Sequence, residues 1–164
     1  MGRWVPKPPI ERTRKGYQLH LDEEEREVLR SLLGQLRDLL VGPPDQPVLR
    51  RLFPAAYHLP EHAEHDAEYQ RLMREDLVAS RLAAIEIVDE ALRATGPLTE
   101  AQVMALLQAI NGLRLVLGTL LDVTEELDLD DVPDDDPHVG EHHLYSFLSW
   151  LLEWTVRAVR HSLA

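Results

Sequence analysis

The chain has 164 residues and a mass of 18.8 kDa, which suits one well-filled domain and is too little for two. Acidic residues outnumber basic ones 29 to 17, for a net charge of −12; a surface of that sign repels the phosphate backbone and excludes broad, sequence-independent nucleic-acid binding. Cysteine is absent, which excludes disulfides, thiolate metal sites, iron–sulfur clusters and cysteine nucleophiles.

Residues 1–9, MGRWVPKPP, contain three prolines and read as an extended arm. Arg3, Lys7, Arg12, Arg14 and Lys15 face Glu11 alone, so residues 1–16 carry about +4 and the rest about −16. Such a segment is either a solubilising tail or an arm that reaches an acidic partner or nucleic acid. It has no leader-like pattern, and the most apolar run, Leu115 to Leu121, is too short for a bilayer. A cytoplasmic chain is therefore expected.

Residues 10–14 and 17–21 flank Lys15 and Gly16, which predicts a hairpin over 10–21 with glycine at a positive φ. Asp22 with Glu25 forms a capping-box pattern that opens a helix over about 22–41. Its apolar stripe is Val28, Leu29, Leu32, Leu33, Leu36, Leu39 and Leu40. The run GPPDQP breaks the chain at 42–47, before a short helix at about 48–53. A long helix follows over about 61–94 and closes at Gly96-Pro97. Thr99 with Gln102 caps the next, about 100–121. Eight acidic residues and two prolines between 125 and 137 predict a solvated loop. A last helix spans about 140–162 and turns Leu144, Phe147, Leu148, Leu151, Leu152, Thr155 and Val159 to one side. The expected fold is mainly α: a single-domain helical bundle of four substantial helices with a short N-terminal β-hairpin.

Four groups of residues could carry function. Arg114 lies about 40° from the centre of the apolar stripe Val103, Leu106, Leu107, Ile110, Leu113, Leu117 and Leu121. A guanidinium placed there needs a partner, because an unpaired buried charge costs several kcal/mol. Asp76, at the border of the long helix's apolar face, predicts an internal ion pair; the alternative is an anion site for a carboxylate or phosphate. His58, His62 and His65, followed by Asp66, offer metal-ligand spacing, and His138, His142 and His143 form a second group. Neither matches a zinc signature, and solvated helix-start histidines explain both. Trp150 and Trp154, one turn apart beside Phe147, suit either core packing or an interface, including that of a homodimer. Arg71, Arg74 and Arg81 alternate with Glu68, Glu75 and Asp76, so the long helix reads as self-neutralised and not as a major-groove reader. Catalytic signatures are missing: no serine lies in G-x-S-x-G and no glycine-rich phosphate loop occurs. No enzyme activity and no cofactor are expected.

The ordered segments IERTRKGYQLHL, LRSLLGQLRDLL, LRRLFPAAY, EYQRLMREDL, LLQAINGLRLVLGTLLDV and YSFLSWLLEWTVRAV resemble the actinobacterial family known as domain of unknown function 2017, over about residues 10–160. The resemblance implies a small helical cytoplasmic protein, encoded near a Clp protease adaptor and sulfur-metabolism genes. It also implies an oxidative-stress transcription regulator that works with a sigma factor through a redox-active cysteine pair. With no cysteine, that pair has no counterpart in this chain. The expected function is a non-catalytic regulatory domain with a sigma factor or RNA polymerase as partner. A small-molecule or metal site near Arg114/Asp76 or the first histidine group is the alternative, and an adaptor linked to Clp proteolysis another.

Overall fold

Antiparallel pairing of Ile10–Thr13 (β1) with Gly16–Leu19 (β2) opens the chain. The computed structural model describes residues 7–53, 63–121 and 134–162. Thr13 pairs with Gly16, so the two-residue turn is Arg14-Lys15, one position earlier than the expected Lys15-Gly16. The glycine answers a different demand. Tyr17 and Leu98 exchange backbone hydrogen bonds of 3.0 and 2.7 Å, drawing the loop before the third helix onto β2. A Cβ on Gly16 would lie 2.5 Å from the Leu98 carbonyl oxygen, and its φ is +134°; only glycine meets both conditions. The residue was legible, its reason was not.

The expected arm over residues 1–9 also ends early. Pro9 is fully buried and its carbonyl accepts the His20 N–H at 2.7 Å, so it belongs to the core. Arg3 lies outside the described residues.

Helix α1 spans Glu23–Val41, and the Asp22/Glu25 capping box forms as its sequence predicts. Leu29, Leu33, Leu36 and Leu40 are buried at helical spacing, while Val28, expected in the stripe, is exposed. The expected short helix at 48–53 is a single 3-10 turn, Pro47–Leu49, in which proline stands at the start and no side chain caps it. Helix α2 spans Ala63–Arg93. Helix α3 spans Glu100–Leu120 behind a formed Thr99/Gln102 capping box, and α4 spans Val139–Ser162.

Four helices among the described residues therefore pack as a bundle, with the hairpin laid against α4 and α3. Helix α3 touches α1, α2, α4 and the 3-10 turn, and Val103, Leu106 and Ile110 are fully enclosed. That central place explains its composition. By length and hydropathy α3 could cross a bilayer, which corrects the expectation that no stretch is long enough; here its apolar surface is used as the bundle's core. Fully burying each such side chain stabilises by about 1.5–3 kcal/mol.

Arginines tie the elements together. The Arg26 guanidinium donates to the carbonyls of Leu21 and Leu19 behind it, and of Leu92 and Ala94 at the end of α2. Arg30 donates to Asp89 at 2.9 Å and Arg93 meets the other oxygen of the same carboxylate at 3.0 Å. Hydrogen bonding to Asp89 raises the Arg30 pKa above its ordinary value.

Candidate functional site

Two surfaces differ in kind from the charged exterior. The first is a shallow, open groove of about 720 Å³ where α2 meets α3. Its walls are Ala83, Ala84 and Ile87 on one side and Ala101, Met104 and Ala105 on the other. Ser80 and Gln108 join across it, the Gln108 amide donating to Ser80 Oγ at 3.3 Å. Alanines let the two helices approach closely, and the larger apolar side chains stand at the rim: Ile87 is 40% exposed and Met104 49%. No charged residue lines the groove, although 28% of the chain is charged. The opening is too wide to enclose a small ligand, which pockets normally bury over most of its surface; the shape suits an apolar helix or a flat apolar face.

The second surface surrounds Arg114. Its guanidinium reaches α4: Nε donates to Ser149 Oγ at 3.0 Å, a terminal nitrogen donates to the Tyr145 hydroxyl at 3.4 Å, and the carbon centre lies 5.4 Å from the Tyr145 ring centroid. The expected ion pair with Asp76 does not form. Asp76 is exposed on α2. Helical periodicity places Arg114 correctly on an inward-turned face; it does not say which neighbour that face meets, and α3 has neighbours on several sides. Among the described residues Arg114 has no carboxylate partner.

Arg81 also departs from expectation. It is half-buried, its Nε is enclosed without a hydrogen-bond partner, and burial lowers its pKa. A terminal nitrogen lies 3.3 Å from where a Gly112 Cβ would be, beside Leu36. The expected self-neutralised surface therefore fails at Arg81, which turns inward away from the acidic residues of α2. Arg74 turns away from them as well, stacking 4.4 Å above the Phe53 ring and donating to the Pro44 carbonyl.

The aromatic pair divides between its two readings. Trp154 packs partly buried on the core, with Arg157 lying 5.0 Å from its ring centroid. Trp150 is 41% exposed and 6.0 Å from Phe147, centroid to centroid, and Phe147 packs on the core. Lys7, Arg12, Arg14 and Lys15 are exposed around the hairpin. His58 and His62 lie outside the described residues, as do the side chains of His65 and Asp66, and so does most of the acidic segment 125–137. His142, expected to be solvated, is buried in α4, whereas His138 and His143 are exposed. Among the described residues no three metal-binding side chains gather.

The groove escaped sequence reasoning because alanines carry no periodic signal of their own. Ile87 and Met104, apolar yet off the buried stripes of their helices, were the available clue.

The model of a family described as a domain of unknown function, DUF2017, matches residues 5–159. No curated protein and no solved structure matches the chain. The chain belongs to the DUF2017 family.

Proposed function

We propose that this member of the DUF2017 family is a non-catalytic regulatory domain that acts by binding another protein, with the groove between α2 and α3 as its contact face. The observation that carries the reading is the uncharged lining, rimmed by exposed Ile87 and Met104, on an otherwise highly charged chain. Covering the exposed parts of those two side chains would contribute about 2 kcal/mol. That suffices for a switchable contact when rim contacts add to it. The complementary occupant is an amphipathic helix with its apolar stripe turned into the groove.

A sigma factor or an RNA polymerase subunit is the partner that the family resemblance favours. The exposed basic residues of the hairpin, Lys7, Arg12, Arg14 and Lys15, would steer an acidic partner and accelerate association at low salt. With no cysteine, this chain carries no thiol of its own whose oxidation could switch the contact.

Titration of the purified chain against purified sigma factors and core polymerase tests this reading. Met104→Glu should weaken the complex at least about tenfold by placing a charge in the groove. Reversing Arg12 and Arg14 should slow association without abolishing binding. Binding of no such protein, or equal binding by Met104→Glu, contradicts the proposal. A second copy of the chain is the other occupant that the alanine-lined walls favour, since small residues permit close helix approach. In that case sedimentation detects a dimer that Met104→Glu dissociates.

A further inference from the structure

We propose that the groove between α1 and α2 is a second docking face. Its occupant is an amphipathic helix of another protein, with acidic residues on one flank and basic residues on the other. The inference goes beyond the α2–α3 contact: it concerns the flank of α2 that meets α1, and variants that leave Met104 in place test it.

A glycine that internal packing does not explain marks the face. Gly34 stands exposed in the middle of α1, and a Cβ built on it would meet nothing within 4 Å. Glycine within a helix is less favourable than alanine, because it orders a freer backbone and packs nothing. Gly112 and Gly118 of α3 have an internal reason, since neighbouring side chains lie against them. The room at Gly34 opens outward instead, into a groove of about 780 Å³ floored by Leu33, Leu82 and Ile85. The groove runs from Arg30 to Val41 on α1 and from Ala79 to Arg93 on α2. That is a length of about 16–21 Å, or roughly three to four helical turns. A glycine at such a place lets a second helix backbone come close.

The two walls differ in sign. Arg30 and Arg93 share the Asp89 carboxylate and so satisfy one another. That leaves Arg37 on the α1 wall and Glu86 and Glu90 on the α2 wall, all exposed. Among the described residues none of these three side chains has a hydrogen-bond or ion-pair partner. A helix lying along the groove would turn carboxylates to Arg37 and lysines or arginines to Glu86 and Glu90. Its apolar stripe would cover the floor and Val41, which is 64% exposed. Exposed ion pairs add little affinity singly, so the charges select the partner and its direction while the floor supplies the burial. A second copy of the chain does not fit, because a two-fold pair would lay groove on groove and leave both open.

The test uses the full chain and three helical peptides of about four turns that share one leucine stripe. One carries glutamates on one flank and lysines on the other, one lysines on both flanks, one glutamates on both. Fluorescence anisotropy should show the mixed peptide binding at least about fivefold more tightly than either of the others. Arg37→Glu should move the preference to the lysine-only peptide, and Glu86→Lys with Glu90→Lys should move it to the glutamate-only one. Gly34→Leu should raise the thermal midpoint, as a better helix former, yet weaken the mixed peptide at least about tenfold by filling the floor. Met104→Glu should leave the ranking of the peptides unchanged. No binding, equal affinity for the three peptides, or undiminished binding by Gly34→Leu would overturn the assignment. Binding lost in Met104→Glu and kept in Gly34→Leu would place the peptides in the α2–α3 groove, which refutes this face and sustains the other.

Discussion

Replacing Arg26 by methionine is expected to loosen the whole molecule from a position that looks like ordinary surface. Arg26 stands in the first turn of α1, where a positive charge opposes the helix dipole. Its guanidinium nevertheless reaches the Leu21 and Leu92 carbonyls at 3.2 and 3.1 Å, and the Leu19 and Ala94 carbonyls at 3.4 Å. Two of these acceptors close the end of α2, where carbonyls lack intrahelical donors. Two others hold the strand-to-helix connection. Charge-assisted bonds to part-buried carbonyls contribute more than neutral ones, but two of the four are long and the side chain is partly exposed. A net loss of about 2–3 kcal/mol follows for Arg26→Met, a fall in midpoint of about 5–10 °C for a chain of this size. Urea unfolding at constant m-value reads the change directly, and Arg26→Lys should recover only part of it. A loss below about 0.5 kcal/mol in Arg26→Met would refute the reasoning.

Arg81→Met should move stability the other way, up by about 1 kcal/mol, because it removes an enclosed donor that has no partner; thermal unfolding checks it, and a drop of similar size would mean the guanidinium is satisfied in solution. Gly16→Ala should destabilise by at least about 2 kcal/mol, since the φ of +134° and the 2.5 Å approach to the Leu98 carbonyl both exclude a Cβ. An alanine variant of wild-type stability, with the Leu98 amide still protected from exchange, would count against this register. Thr99→Ala should remove the cap of α3 and lower stability by about 1 kcal/mol, visible as a shift in urea midpoint; no shift would show that the cap is replaced by solvent.

What the sequence revealed was what neighbours along the chain decide. Capping boxes at Asp22/Glu25 and Thr99/Gln102 are contacts within three residues, so their letters suffice. The leucine stripe of α1 and the enclosed residues of α3 follow from a 3.6-residue period. Hairpin register was off by one because Gly16 answers to Leu98, far along the chain, and not to its own turn. The wheel turned Arg114 inward, but its partners on α4 come from tertiary packing that a helical wheel does not encode. Arg26 and Arg81 show the same limit from opposite sides: one exposed-looking arginine is a four-point clasp, and one apparently neutralised arginine is half-buried with its Nε unpartnered. The groove was the least legible feature, since its walls are alanines that any helix tolerates.

The most direct test of a protein-contact role follows the methyl groups at the groove itself. The chain has three methionines, so labelled Met104 is readily resolved, with exposed Met73 as an internal reference. On adding a purified sigma factor or core polymerase, or on raising the chain's own concentration, the Met104 and Ile87 methyl signals should shift while Met73 stays put. A complex that forms with Met104 and Ile87 unmoved, or a chain whose groove stays solvent-exposed with every one of these proteins and at every concentration, would contradict the assignment of the α2–α3 face.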